Sequence, residues 1–408
     1  MLLMFCRVGH WRRHRSFSYN PYMRQAIQQL QASKIRELAN AGLGRGDVLA
    51  FWFGESDEVT PDFIRQAAID SLHAGETFYA HNLGLPELRE SISTEMVKRH
   101  GVDIGSERIA VTSGGVNALM LAMQALVDTW DEVLVVTPVW PNLTAHPQIL
   151  GAQLRTLSLE PSKGRWVLPL EKLLNSITVK TRLLVLNSPN NPTGWTLNRQ
   201  EQQVILDKCR STGTWILADE VYESLYFLDS QNHCAPSFLD IAQPDDKLVV
   251  AHSFSKSFLM TGWRLGWLVM PPEMTQHIGK LIEFNTSCAS VFVQRAGLVA
   301  LKRAEEVTPR VVSHLRLCRD TLAAALSGVD PIEFALPDGG MYLFLRLPAG
   351  MDDFQVAKRL VQEAGLGLAP GSAFAPEAQG WLRWCFASKE LDRLSLGAER
   401  LGSWLSKL

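Results

Sequence analysis

The sequence predicts an α/β protein with a three-layer αβα large domain around a mainly parallel sheet, followed by a smaller α+β C-terminal domain. Three observations lead there. Short apolar runs alternate with amphipathic helical stretches through the middle of the chain. Those runs are apolar throughout rather than at every second residue, as expected of strands covered on both faces. After about residue 300 the alternation gives way to one long helical stretch, two separate strands and a closing helix. The expected organisation is an N-terminal extension and arm over 1–58 packing on the small domain, a large domain over 59–300, and a small domain over 301–408.

The elements follow in order. "RIAVTSG" reads as a strand running into the helical "VNALMLAMQALVD"; "DEVLVVTP" and "TRLLVLNSP" are further strands. "NRQEQQVILDKCRSTG" has helical periodicity between an Asn and a Gly, and "TWILADEVY" and "KLVVAHSFSK" return to buried strands. "TPRVVSHLRLCRDTLAAALSG" is the long helix of the small domain, with strands near "MYLFLRLP" and "WLRWCFAS". In such a sheet, ligands sit at the carboxyl ends of the strands.

Composition narrows the function. Of 408 residues 46% are hydrophobic, enough to bury a large core. Lys and Arg total 40 against 42 Asp and Glu, so no excess charge points to nucleic acid or an anionic membrane as partner. Small-molecule chemistry and a cytoplasmic location are expected. The six cysteines (Cys6, Cys209, Cys234, Cys288, Cys318 and Cys385) are scattered without CxxC pairs or histidines at ligand spacing, which argues against zinc and against a disulfide framework. "MLLMFCRVGHWRRHRSFS" is basic, but its apolar part is too short to span a bilayer and precedes the charges, the reverse of a secretory signal. It could be a targeting segment; the plainer reading is a disordered extension or a misassigned start codon.

Chemistry-bearing residues fall where the strands end. "TSGGVNAL" places Ser113, Gly114 and Gly115 between strand and helix, where backbone amides can face an anion. "LNSPNNPTG" holds Asn187 and Asn191 in a turn stiffened by prolines. Asp219, in "ILADEVY", ends an interior run, and a buried carboxylate needs a cation. "HSFSKSFLMTGWRLGW" sets Lys256 among Ser253, Ser255 and Arg264 in apolar surroundings, although a lysine is seldom buried without a partner. Pyridoxal 5'-phosphate would answer all of these: a phosphate for the glycine turn and the arginine, a ring nitrogen for the carboxylate, a phenolic oxygen for donors, and an aldehyde for the lysine.

With "NSPNNPTG", "DEVY" and "SFSKSFLMTGWRLGW" in that order, the sequence resembles the class I/II pyridoxal-phosphate-dependent aminotransferases, of the aspartate-aminotransferase-like fold type I, from about Asp47 to the C-terminus. The resemblance implies a homodimer with shared active sites that moves an α-amino group from an amino acid to a 2-oxo acid. It makes Lys256 the lysine that carries the cofactor as an internal aldimine and then shuttles the substrate proton. Ser253, Arg264 and the amides of Gly115 and Val116 match the phosphate ligands, and Asp219 the acid that keeps the ring nitrogen protonated. Asn191 and Tyr222 match the partners of the phenolic oxygen, and Trp140, in "TPVWPN", the stacked aromatic ring. Arg383, in "WLRWCFA", matches the clamp on the substrate α-carboxylate, assisted by Asn191 and the Gly54 backbone; Tyr79 matches a tyrosine reaching the phosphate of the neighbouring subunit.

Plainer readings stand beside these. Trp140, Tyr222 and Tyr79 could be packing aromatics, Arg383 a stacked surface arginine, and Ser255 only a packed hydroxyl. Asn117 departs from the Glu or Gln that many relatives carry there. The shared motifs leave open another outcome on an amino acid, such as β-elimination, cyclisation or oxidation, and, from a different class, an effector-sensing domain of a transcription regulator. A neutral, apolar or aromatic amino donor is expected, because Phe51, Trp52 and Phe53 lead up to Gly54 and no second arginine stands in "AFWFGESDE" or "TPVWPN". Arg295 or the N-terminal segment could still supply one, and Glu55 and Asp57 could instead receive a basic side chain.

Overall fold

Seven strands line up in the order Ile109–Thr112, Gly266–Val269, Leu248–Ser253, Trp215–Asp219, Thr181–Asn187, Glu132–Thr137 and Gln153–Ser158. Only Gly266–Val269 runs antiparallel to its neighbours; the other pairings are parallel. The computed structural model describes residues 23–230 and 232–408, so the basic segment "MLLMFCRVGHWRRHRSFS" lies outside the described residues.

The unbroken apolar runs have a direct cause. Along Thr181–Asn187, Leu183 and Val185 join one apolar core, while Leu184 and Leu186 join the core on the opposite face. Helices Gly115–Leu126 and Pro272–Asn285 cover the first face; Pro86–His100, Arg199–Thr212 and Val291–Lys302 contribute to the second. This is the α/β fold with a mainly parallel sheet. The helix Arg199–Thr212 begins at a capping box between Asn198 and Glu201 and stops at Gly213, which takes a left-handed φ of 74°.

The C-terminal part builds an antiparallel sheet of Glu333–Phe334, Tyr342–Arg346, Trp381–Cys385 and Ala369–Pro370. The helices Ala304–Leu326 and Leu391–Leu405 pack on each other beside it. Near the start of the described chain, Lys34–Ala41 is capped by Ser33, which accepts the Arg36 amide, and Ile35 and Ala39 pack with Trp52, Val361, Ala369 and Phe374. Leu49–Ala50 pairs in parallel with Leu366–Gly367. The next residues lead from this separate two-stranded pairing to a cavity, where Trp52, Phe53 and Gly54 form part of the lining.

Candidate active site

The carboxyl ends of the large sheet open into a cavity of about 620 Å³. Asn187, Asp219 and Ser253 each end a strand and line it, and Gly115, Val116, Trp140, Tyr222, Ser255, Lys256 and Arg264 follow strand ends onto its wall. Gly54, Asn191, Tyr342 and Arg383 complete the side facing the smaller sheet.

The buried carboxyl of Asp219 and the half-buried amine of Lys256 face one cavity. Asp219 is 2% exposed, and its one described side-chain hydrogen bond is a long 3.5 Å contact from the Val221 amide. Burial pushes its carboxyl up to about 7, opposed only in part by the Val221 amide and the charge of Lys256. Burial also pushes the Lys256 amine down to about 8, with Arg383 and Arg264 adding repulsion against the opposing pull of Cys385 and Glu55. Lys256 Nζ donates to the Gly54 carbonyl at 2.5 Å and lies 5.6 Å from the centre of the Tyr222 ring. Among the described residues no ion pair joins Lys256 to Asp219.

Beside them lies an anion cradle. Ser253 Oγ and Ser255 Oγ are 2.9 Å apart, and Arg264 Nη1 reaches Ser255 Oγ at 3.4 Å and the Thr261 carbonyl at 2.7 Å. Gly114 has a φ of 94°, and a Cβ there would meet Arg264 Nη2 at 2.3 Å; glycine is what lets the guanidinium close over the amides that start the helix. Asn117 helps to shape the turn: its Oδ1 accepts the Ser113 amide and its Nδ2 donates to Asn285.

On the opposite wall Arg383 is 2% exposed; it donates to Asn191 Oδ1 at 2.9 Å and to the Trp52 carbonyl. Its Nε has no partner among the described residues, and its guanidinium lies over the rings of Tyr342 and Phe374. Asn191 is itself set by Asn187, whose Oδ1 accepts the Asn191 amide while its Nδ2 donates to the Asp219 carbonyl. A cation with donor capacity left over suits a carboxylate ligand. Just past the strand Trp215–Asp219 and on the strand Leu248–Ser253, Glu220, Glu223 and His252 bring three metal-type ligand atoms within 4.8 Å of one another, but Glu223 already takes Arg99, His100 and His252.

Residues 46–401 match the family model described as aminotransferase class I and II. The chain belongs to the class I and II aminotransferases. It is 33% identical over 382 residues, 92% of this chain and 95% of the other, to a protein of Aquifex aeolicus named "Probable aspartate/prephenate aminotransferase". It is 32% identical to an arginine–pyruvate transaminase of Pseudomonas aeruginosa, over 85% of this chain and 87% of that one. The crystal structure of aspartate aminotransferase from Thermotoga maritima superposes with a TM-score of 0.86 at 31% identity, covering 94% of this chain and 100% of that one. This aminotransferase has fold type I and is a transaminase, moving an amino group from an amino acid to a 2-oxo acid.

Eleven of the twelve site residues expected from the sequence line this aminotransferase's cavity: Gly54, Gly115, Val116, Trp140, Asn191, Asp219, Tyr222, Ser253, Lys256, Arg264 and Arg383. Tyr79 does not; it is 87% exposed. Of the aromatic run before Gly54, Trp52 and Phe53 reach the cavity, whereas Phe51 is buried 5.1 Å from the Trp384 ring. Arg295 is absent from the lining and is held by Glu76 and Glu87, and Asp57 is taken by Arg393 and the Lys389 amide. Ser255 also lines the cavity, its hydroxyl 2.9 Å from that of Ser253.

Sequence reasoning missed Tyr342 and Arg36. Tyr342 sits in an apolar strand where only its hydroxyl distinguishes it from core. Arg36 comes from a helix too far from any motif to align, yet it lines the cavity with its guanidinium 4.7 Å from the Phe53 ring.

Proposed function

We propose that this cavity binds pyridoxal 5'-phosphate on Lys256 and carries out transamination there. The observation that supports the reading is the pair Lys256 and Asp219: a half-buried amine and a buried carboxyl on one cavity, each shifted toward its neutral form by burial and joined by no ion pair among the described residues. A cationic ring nitrogen fits Asp219, an aldehyde fits the amine of Lys256, and a phosphate fits the cradle whose floor a Cβ at Gly114 would fill. When bound, the cofactor supplies an electron sink for the negative charge that develops at the donor's α-carbon.

The protein's own groups supply the rest. Ser253, Ser255, Arg264 and the amides of Gly115 and Val116 hold the phosphate, and Trp140 lies against the ring. Asp219 keeps the ring nitrogen protonated; Tyr222 and Asn191 donate to the phenolic oxygen. Arg383, helped by Asn191 and the Gly54 backbone, orients the donor's α-carboxylate. Lys256, whose amine burial shifts toward its neutral form, would take the α-proton and return it on the cofactor side.

Three further parts belong to this proposal. The protein acts as a homodimer in which Tyr79 reaches the neighbour's phosphate; solvent exposure of 83% at Phe78 and 87% at Tyr79, adjacent in sequence, supports a second copy there. It works in the cytoplasm, supported by five free cysteines among the described residues, none of which is in a disulfide. No helix among those residues is long and apolar enough to cross a membrane. The chain divides into an arm over 1–58 packing on the small domain, a large unit over 59–300 and a small unit over 301–408, supported among the described residues by Ile35 and Ala39 packing with Val361, Ala369 and Phe374.

A neutral, apolar or aromatic donor remains the primary reading, supported by Trp52 and Phe53 on the cavity wall. Arg36 favours a second, a dicarboxylic donor, because no acid pairs with it among the described residues and a distal carboxylate left unpaired would be costly. The names of the Aquifex and Thermotoga relatives agree with that second reading. Following half-transamination by absorbance with phenylalanine, leucine, methionine, aspartate, glutamate and arginine separates the two. A neutral preference that survives Arg36→Ala supports the first; an aspartate or glutamate preference that Arg36→Ala abolishes supports the second.

A further inference from the structure

Tyr342 touches both halves of the site. It opens the strand that pairs with Trp381–Cys385, with Tyr342 opposite Cys385 and Phe344 opposite Arg383. Its side chain is buried, and its hydroxyl lies 2.7 Å from the hydroxyl of Tyr222, with the rings edge to face at 5.7 Å. The Arg383 guanidinium sits over the same ring at 4.5 Å. A Cβ at Gly54 would fall 1.9 Å from the Tyr342 hydroxyl oxygen, so the chain leaves room at Gly54 for this hydroxyl.

Burial pushes both phenols up, so at neutral pH each hydroxyl has one proton and can donate once. Tyr222 can give its proton to Tyr342 or to a ligand in the cavity, not to both. If Tyr342 donates to Tyr222, the Tyr222 proton is directed into the cavity, and a hydroxyl that accepts a hydrogen bond becomes a stronger donor. We infer that Tyr342 is a positioning residue of this aminotransferase: its hydroxyl aims and strengthens the Tyr222 hydrogen bond to the cofactor's phenolic oxygen, and its ring supports the Arg383 clamp. This rests on the assignment of the cofactor to Lys256 made above.

The test uses the cofactor-loaded enzyme and its visible absorption as a function of pH. Strengthening the bond to the phenolic oxygen draws electron density from it and weakens its hold on the proton shared with the Lys256 nitrogen, so losing the Tyr342 hydroxyl raises the pH midpoint. Tyr342→Phe, which keeps the ring, is expected to raise the midpoint by about half a pH unit. In a Tyr222→Phe background the same change is expected to do nothing, because Tyr342 acts through Tyr222. The other groups facing this pair or Lys256, namely Asp219, Arg383, Cys385, Glu55 and Arg264, are identical in both backgrounds and cannot mimic that pattern. Tyr342→Leu, which also removes the ring, is expected to raise the donor KM about fivefold to tenfold beyond Tyr342→Phe. An unchanged midpoint in Tyr342→Phe, an equal rise without Tyr222, or equal KM values for the two variants overturns the inference. A wild-type spectrum with no pH transition belonging to Lys256 overturns the cofactor assignment as well, so the two failures are told apart.

Discussion

Replacing Asp219 with Asn in the cofactor-free protein should stabilise it at pH 8 while ruining it as an enzyme. The carboxyl is fully buried and pushed up from its ordinary 3.8 to about 7, chiefly by burial. At about 1.4 kcal/mol per pH unit, keeping it ionised at pH 8 costs the empty protein about 4 kcal/mol. Between those two values the folded chain keeps a proton that the unfolded chain has released. Stability from this group therefore falls as pH rises through the window, and the full cost is present above about pH 7. An Asn cannot ionise, but burying its unpaired amide N–H groups costs about 1–3 kcal/mol. The cofactor-free Asp219→Asn protein is thus expected to gain about 1–3 kcal/mol at pH 8, a few degrees in melting temperature, and to lose that advantage at pH 5. Thermal melts of stripped wild type and variant at the two pH values read it directly. In the loaded enzyme the same variant should lose the charge that holds the ring nitrogen protonated, and transaminase activity with it. A stripped variant less stable than wild type at pH 8 would show that the carboxylate already has a partner in the chain and would refute the reasoning.

Lys256, held down to about 8, should react with an amine-directed acylating reagent in the stripped protein with a midpoint about two pH units below that of exposed lysines, read by peptide mass spectrometry; a midpoint near 10.5 contradicts its burial. Arg383→Ala removes the charged hydrogen bonds to the donor carboxylate, each worth about 1.5–3 kcal/mol, so kcat/KM for the amino donor should fall at least tenfold to a hundredfold in steady-state assays. Mixing an inactive Tyr79 variant with an inactive Lys256 variant should restore one working site per hybrid dimer; an enzyme that is active as a strict monomer rules that out.

The large sheet was legible because its strands are covered on both faces, so that Leu183 to Leu186 could not alternate with polar residues. The strand-end residues were legible for a related reason. Asp219, Lys256 and Arg264 are charges set in apolar surroundings, and such charges demand partners. Arg383 was found by its position in a motif, although the carbonyl of Trp52 that holds it, 331 residues away in sequence, could not be foreseen. Tyr342 escaped because a tyrosine in an apolar strand differs from a core residue only by where its hydroxyl ends. Arg36 escaped because its place depends on how Lys34–Ala41 docks on Trp52, Val361 and Phe374, contacts made across most of the chain. Tyr79 reads from the sequence as a site residue, whereas its side chain is 87% exposed and lines no part of the cavity.

The most direct test of the account is borohydride reduction of the purified enzyme loaded with pyridoxal 5'-phosphate, followed by proteolysis and mass mapping of the fixed cofactor. Loss of the yellow colour on reduction, with the cofactor mass on Lys256 and no label in Lys256→Ala, is the predicted result. A cofactor mass on another lysine, or a Lys256→Ala enzyme that still transaminates at the wild-type rate, would contradict it.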